Sequence, residues 1–558
     1  MFDSDSRTGR GYTGRDGVLT GVNAFCASLR QHQGMTDSDE SSFAAARARV
    51  EALATAIGAE EGTPPRLIET AISWVLIGRT LAHKFKKPLR LPYLDFTTLA
   101  ARRRFCEEEL RLNRRFAPDL YLGVVEIRGG AAGPSFAGIG PVLDVAVRMR
   151  RFADGSLWSE RIDAGTLDAD DVEAFARRLA AVHRAADVAP PSSGFASAPA
   201  HARIARGSIA AIDAWERRGG GRAPEWPAVR EWLERERERL APHWPARAEA
   251  GKVRECHGDL HLANVVQIGA DGIAFDAVEF DPTLRWIDPL DDAAFLVMDL
   301  LARHRRDLAF RFLDAYLETS GDYEGLPALR FFLVSRALVR AQVGALCEAR
   351  GIEAQGGRSA MDYLRLAATL ASRGDPGLAI THGLPGSGKS YISQQLVGAV
   401  GAVRVRSDVE RKRLFGVAAL QSSSEHVPAG IYSGAATQRT YARLLDVARI
   451  AVAAGWPTIV DAAFLRREER ARFAALAAEL GVPFAIVDCH AAMPLLRERV
   501  SARQASRSDA SEADVAVLER LVDVDEPLDA MEKRRAIAFR ADASESPHGV
   551  AGRWQAMR

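Results

Sequence analysis

Residues Gly383-Leu384-Pro385-Gly386-Ser387-Gly388-Lys389-Ser390 have the types and spacing of a loop that grips a nucleoside triphosphate. Glycines let successive backbone N–H groups turn inward onto the α and β phosphates. Lys389 reaches the β and γ phosphates, and the Ser390 hydroxyl is placed to ligate Mg²⁺. Such a loop needs a strand before it and a helix after it. The apolar run Leu378-Ala379-Ile380-Thr381-His382 supplies the strand. Tyr391, Ile392, Gln395 and Leu396 show the spacing of a helix, which sets phosphate charge at a helix N-terminus where free N–H groups and the dipole favour it. A chance Gly/Ser-rich turn would lack this context, so residues from about 378 onward are expected to bind ATP with Mg²⁺.

A second phosphate-handling pattern lies more than a hundred residues upstream, in Cys256-His257-Gly258-Asp259-Leu260-His261-Leu262-Ala263-Asn264-Val265. Its spacing is similar to a kinase catalytic loop. There an Asp accepts the proton of the attacking hydroxyl, and an Asn five residues later holds Mg²⁺ beside the same phosphoryl group. Asp259 and Asn264 occupy those places. About a dozen residues on, Ile273-Ala274-Phe275-Asp276-Ala277-Val278-Glu279-Phe280-Asp281 reads as a short strand ending in carboxylates, and Asp276 is the candidate second metal ligand. The plain alternative is a surface turn with a metal-like His pair and a strand-capping Asp276.

On these residues, positions from about 60 to 350 resemble the aminoglycoside phosphotransferase family, a branch of the protein-kinase-like fold that carries HGDxxxxN. Followed by a P-loop half, the chain after about residue 45 is similar to bifunctional aminoglycoside phosphotransferase and ATP-binding proteins, a kinase-like domain fused to an AAA-type P-loop kinase domain. One segment departs. Where the family reads like Ile-Asp-Phe-Gly or Ile-Asp-Trp-Glu, this chain has Phe275-Asp276-Ala277-Val278-Glu279. The Asp is kept and its neighbours are not, which weighs against an antibiotic substrate. The resemblance also implies a strand lysine on the α and β phosphates. By alternation Lys84 and Lys86 share a face and either serves; the string Ala82-His83-Lys84-Phe85-Lys86-Lys87-Pro88 favours Lys84, and three solvated lysines closing an edge strand is the other reading. Glu109 is the family-like partner of that lysine, on a helix where a merely exposed Glu is equally expected. Asp288, Asp291 and Asp292 read as support for the catalytic loop.

In the carboxyl-terminal half, Asp461 ends the apolar strand Pro457-Thr-Ile-Val-Asp461, the position from which a carboxylate holds Mg²⁺. Arg406-Ser407-Asp408-Val409-Glu410-Arg411 resembles the Ser-Asp-x-x-Arg element of P-loop small-molecule and polynucleotide kinases. By that resemblance Asp408 accepts the substrate proton and Arg411 holds an anionic group, while Arg499, Arg503 and Arg507 form a lid over the transferring phosphoryl group. Arginine suits this because its fork meets phosphate oxygens bidentately. An exposed basic helix is the alternative for the lid.

The elements that must position these residues follow the same division. Residues 1–42, rich in Ser, Asp, Gly and Arg, are expected to be disordered, with Met35 a possible true start. From Ser42 to Ile57 the pattern is helical. Ile72 to Ile77 and Thr80 to Lys87 pair across a Gly78-Arg79 turn, Leu99 to Phe116 is a charged helix, and Val142 to Phe152 alternates as a strand. Helices are expected over Asp168–His183, Ser208–Leu240, Phe331–Leu346 and Ser359–Leu370. Beyond the P-loop, Val403–Arg406, Pro457–Asp461 and Phe484–Cys489 read as buried strands between helices. The expected fold is an α+β protein-kinase-like domain, residues 43–372, followed by an α/β P-loop NTPase domain with a parallel sheet, residues 373–558.

With 558 residues and 47% hydrophobic content the chain can build two cores. Lys plus Arg at 74 against Asp plus Glu at 73 leaves a net charge of +1, so no bulk field calls for nucleic acid or a membrane. Five scattered cysteines without a CxxC pair read as reduced thiols, and the cytoplasm is the default. The function read from all this is an ATP-dependent two-domain phosphotransferase acting on a hydroxyl of a small, possibly anionic metabolite, not an aminoglycoside. A kinase-like ligand sensor regulating the P-loop half, and a toxin-like P-loop kinase, stay open. Oligomeric state is not legible.

Overall fold

The computed structural model describes residues 37–558 apart from 92–93, 131–132, 222, 349–357, 373, 420, 422–430, 432, 507–509 and 541–545. Helix α1 (Asp37–Glu61) begins inside the stretch read from composition as unstructured. The rest of that stretch, with Met35, lies outside the described residues.

Five antiparallel strands follow, β1 (Arg66–Glu69), β2 (Ser73–Ile77), β3 (Leu81–Lys86), β4 (Tyr121–Arg128) and β5 (Val142–Arg150), in the order β1-β2-β3-β5-β4. The Gly78-Arg79 turn sets the β2–β3 register, pairing Val75 with Lys84 and Ser73 with Lys86. Alternation then sends both lysines to one side of the sheet. On the other face α1 packs Phe43, Val50 and Leu53 against Trp74 and Phe85. Helix α2 (Leu99–Asn113), capped by Thr98, packs Cys106 against Val145 and Val147 and carries Glu109.

The helical part contains α3 (Ala169–Ala185), α4 (Ala198–Arg217), α5 (Trp226–Leu240), the hairpin β6 (Val265–Ile268) and β7 (Asp271–Ala274), then α6 (Pro289–Ala302), α7 (Arg306–Ser320), α8 (Leu326–Glu348) and α9 (Ala360–Ala371). The stretch Ser208–Leu240, read as helical, holds the end of α4 and all of α5: Gly219, Gly220 and Gly221 separate them, two of these with positive φ that glycine adopts without strain. Helix α6 is buried on nearly every side.

The last region is a parallel sheet with helices on both faces. Strands β8 (Leu378–His382), β9 (Val403–Arg406), β10 (Thr458–Asp461), β11 (Phe484–His490) and β12 (Ala536–Arg540) run in the order β9-β10-β8-β11-β12, and β8 is buried throughout. Helix α10 (Lys389–Val400) leaves the P-loop, α11 (Ser407–Leu414) and α12 (Gly434–Ala453) follow β9, α13 (Arg467–Glu479) follows β10, and α14 (Met493–Ser506) follows β11. Strand β12 is an addition to the elements read from sequence.

The seam between the kinase-like region and this domain is core, not linker. Helix α7 lies along α10, and a Cβ at Gly398 would stand 3.3 Å from the Asp307 Cα. Phe310 meets Trp456 at 6.1 Å between ring centroids, Arg330 stacks on the same indole, and Leu308, Phe310, Ile392 and Val400 share one buried cluster.

Candidate functional site

Strand β3 and helix α2 together build a charge relay under the first sheet. Lys84 Nζ donates to Glu109 Oε1 at 3.0 Å and also pairs with Asp276. Lys86 bridges the other Glu109 oxygen and Glu279. Burial alone would raise the Glu109 carboxyl, but the two ammonium groups push it down to about 2. The alternation argument left both lysines open, and the structure separates them. Lys84 lines a cavity of about 410 Å³ with Asp259, Asn264 and Asp276, whereas the Lys86 side chain is 0% exposed and serves the two glutamates.

The loop after Cys256 is held by its backbone. His257 N and Gly258 N each donate to the Asp292 carboxylate at 2.9 Å, and Arg336 donates to Gly258 O at 3.2 Å. Asp292 in turn meets His183 at 3.1 Å, whose other ring nitrogen meets the Tyr316 hydroxyl at 2.9 Å. Asn264 Nδ2 donates to Asp259 Oδ2 at 3.2 Å, which brings the two side chains together as the spacing implied. Asp259 and Asp276 each keep 40% of the side chain open to the cavity, so both can meet a ligand. Burial works against the Asp259 anion, yet His261 beside it, with Arg340 and His257, holds the carboxyl well below the usual range.

Asp276 sits at φ +65°, in the left-handed region, immediately after β7. Its N–H donates to the Tyr121 hydroxyl at 3.1 Å and the next N–H, of Ala277, to Asn113 Oδ1 at 2.9 Å. These two contacts fix a strained backbone so that the carboxylate points back toward Lys84. Tyr121 and Asn113 were not singled out in sequence. Asn113 stands four residues after Glu109 on one helix face, and that spacing was the available signal.

The cavity is also lined by His201, Ile204, Phe331, Phe332 and Val339. His201 is 6% exposed with no partner for Nε2; burial and the Arg336 charge push it down to about 4, so it is neutral. Asp291 is forked by Arg336 at 2.8 and 3.0 Å, and Asp288 caps α6 and is forked by Arg247.

The P-loop has the geometry its glycines foretold. Gly383, Gly386 and Gly388 have φ of +134°, +83° and +94°, and a Cβ at Gly383 would fall 2.3 Å from Cys489 O. Lys389 Nζ curls back to Leu384 O at 2.8 Å, inside the loop, where burial lowers its pKa. Ser387 Oγ is buried without a partner, an orphan that a phosphate oxygen would satisfy, so the loop fits the group its sequence implies. Asp461, at the end of β10, accepts from Ser393 Oγ at 3.1 Å.

A cavity of about 1600 Å³ opens over the loop, lined by Lys389, Ser390, Asp408, Asp461, Arg411, Arg499 and Arg503 among others. Arg411 donates to Ile431 O and Thr437 Oγ1, Arg499 to Gly386 O and Arg503 to Ala513 O. Arg507 lies outside the described residues. Among the described residues, nine arginines and four carboxylates line this space. Tyr391 and Phe539 also line it, with ring centroids 6.3 Å apart, an aromatic edge that the strand β12, unrecognised in sequence, brings into place.

Residues 96–332 match the model described as the phosphotransferase enzyme family, and residues 378–528 match the one described as AAA domain. An uncharacterized protein of Mycobacterium tuberculosis is 28% identical over 460 residues, covering 81% of this chain and 88% of that protein. A choline/ethanolamine kinase family protein from Mesorhizobium loti is similar over 59% of this chain and 95% of its own, with 14% identity and a TM-score of 0.36. Chaetomium thermophilum Kti12 in complex with ADP-AlF3 is similar over 32% of this chain and 99% of its own, with 17% identity and a TM-score of 0.27. In order along its length, the chain carries a region of the phosphotransferase enzyme family type and then a P-loop AAA domain.

Proposed function

We propose that the chain is an ATP-dependent phosphotransferase with two sites of its own, each passing the γ-phosphoryl group to a hydroxyl of a small molecule. The observation that carries this reading is the convergence of Lys84, Asp259, Asn264 and Asp276 on one cavity, with Glu109 and Asp292 bracing them from behind. Lys84, fixed by Glu109, would meet the α and β phosphates. Asn264 and Asp276 would hold Mg²⁺, which would supply charge neutralisation to the phosphates. Asp259 stays deprotonated through neutral pH and so always offers a lone pair to the acceptor hydroxyl, orienting it and taking its proton. In the P-loop domain Lys389 and Ser390 would serve the phosphates and metal with Asp461, while Asp408 receives the proton and Arg411, Arg499 and Arg503 steady the charge.

The two acceptors differ in class. Nine arginines around the larger cavity favour an anionic acceptor there. Away from Lys84, Asp259, Asn264 and Asp276, the smaller cavity is lined by Ile204, Phe331, Phe332 and Val339 with the neutral His201, and the carboxylates of Asp291, Asp288 and Asp292 are already engaged by Arg336, Arg247 and the catalytic-loop backbone. That supports a weakly polar acceptor and weighs against a polycationic aminoglycoside.

The test uses purified full chain, Mg²⁺-ATP and a library of hydroxyl-bearing metabolites. Asp259→Asn is expected to lower one set of transfer reactions by about 10²–10⁴-fold, and Lys389→Ala to abolish a different set. ATP turnover indifferent to both variants would sink the reading. Expression in a sensitive bacterium is expected to leave kanamycin tolerance unchanged; a large rise lost with Asp259→Asn would overturn the acceptor class.

A further inference from the structure

Asp461 does not stand alone at the end of β10. The Arg406 guanidinium lies beside it and that of Arg404 reaches it through Ser393, and both are tethered by helix α7 of the kinase-like region. Arg404 Nε and Nη2 donate to the two oxygens of Asp314 at 3.2 and 2.6 Å, leaving Nη1 for Ser393 Oγ at 3.3 Å and Ser390 O at 3.4 Å. Ser393 is the side chain that donates to Asp461. Arg406 lies 3.7 Å from the same Asp461 oxygen and donates to Glu318 at 3.3 Å. Arg404 and Asp314 are each 4% exposed at the side chain, so water cannot replace either partner.

We propose that Asp314 and Glu318 are positioning residues for the P-loop site, holding Arg404 and Arg406 in place so that Asp461 is left available to a divalent cation. This rests on the reading of Asp461 as the Mg²⁺-side carboxylate. The physical reason is competition. A guanidinium and a metal ion seek the same carboxylate lone pairs, and an arginine released from its own acid would close on Asp461. Because both acids sit on α7, the P-loop site is complete only with the kinase-like region docked against it. The same helix carries Tyr316, whose hydroxyl supports His183 under the catalytic loop, so one element underlies both sites.

The experiment measures binding of a fluorescent ADP analogue to the full chain carrying Asp276→Asn, which silences the first site, with and without Mg²⁺. Adding Asp314→Asn is expected to raise the Mg²⁺ concentration for half-maximal binding about tenfold, while metal-free binding, which reads Lys389 and the loop, stays the same. Combining Asp314→Asn with Arg404→Met removes the released charge and is expected to restore most of the Mg²⁺ response. Glu318→Gln, at a more exposed pair that folding tolerates, is expected to shift it about threefold in the same direction. An unchanged Mg²⁺ midpoint in Asp314→Asn and Glu318→Gln, an equal loss of metal-free binding, or no rescue in the double variant overturns the proposal. If instead the parent shows no Mg²⁺-dependent nucleotide binding that Lys389→Ala removes, the function reading itself fails, and the positioning role with it.

Discussion

Two lysines two residues apart do different work, and the difference is burial. Lys86 neutralises Glu109 and Glu279 where no solvent reaches, so Lys86→Met leaves two carboxylates facing each other in the interior; it is expected to cost about 3–5 kcal/mol of stability. Lys84 faces the cavity and pairs with the part-exposed Asp276. Lys84→Met is therefore expected to weaken ATP binding at the first site while unfolding by urea changes less than for Lys86→Met. The reverse ordering would show the phosphate lysine to be misassigned. Sequence alternation could put both on one face but could not rank them, because their partners, Asp276 and Glu279, lie about 190 residues away. Asp259 and Asn264 were legible since their geometry is local, within one turn of chain. His201 was not, since its place in the cavity wall depends on how α4 packs on α8.

At the scale of the element, the loop after Cys256 shows why its motif reads His-Gly-Asp. Gly258 has φ +87°, and a Cβ there would stand 2.7 Å from Leu284 O. Gly258→Ala is expected to cost about 1–3 kcal/mol in strain and to move Asp259 away from Asn264. The measurable outcome is a fall in turnover at the first site with nucleotide binding at the P-loop intact; unchanged turnover would count against the loop's assigned role. Elements with a strong period and clear punctuation were read well, such as the β2–β3 hairpin, β8 and the helix opening at Lys389. Strand β12 was missed because five residues of Ala-Ile-Ala-Phe-Arg form an edge strand whose pairing with β11 is set by tertiary contact, not by pattern. The break at Gly219–Gly221 was passed over because apolar spacing resumes on its far side.

For the whole molecule, the decisive feature is the buried seam between α7 and α10. Phe310, Trp456, Ile392 and Val400 belong to one cluster, and the Arg404–Asp314 pair is sealed within it. Both regions are expected to melt in a single calorimetric transition, because neither can open without exposing apolar surface and an unpaired charge. Two well-separated transitions would show the seam to be a weak contact. Residues from about 375 onward, expressed alone, are expected to be poorly folded for the same reason. Sequence is silent on this, since residue spacing near position 372 does not report what packs across the boundary.

The seam also imposes an order on the protein's making. Ribosomes deliver the kinase-like region first, and the roughly 30 further residues that bring α10 and Arg404 need on the order of 2–6 s at about 5–20 residues per second. Through that interval the outer face of α7 has no helix to lie against, with Phe310 uncovered and Asp314 waiting for a cation that has not yet been synthesised. A nascent chain in that state presents the kind of surface that holding chaperones recognise, and slowed translation would prolong it. The cost of joining two candidate sites through one helix is thus borne before either site exists.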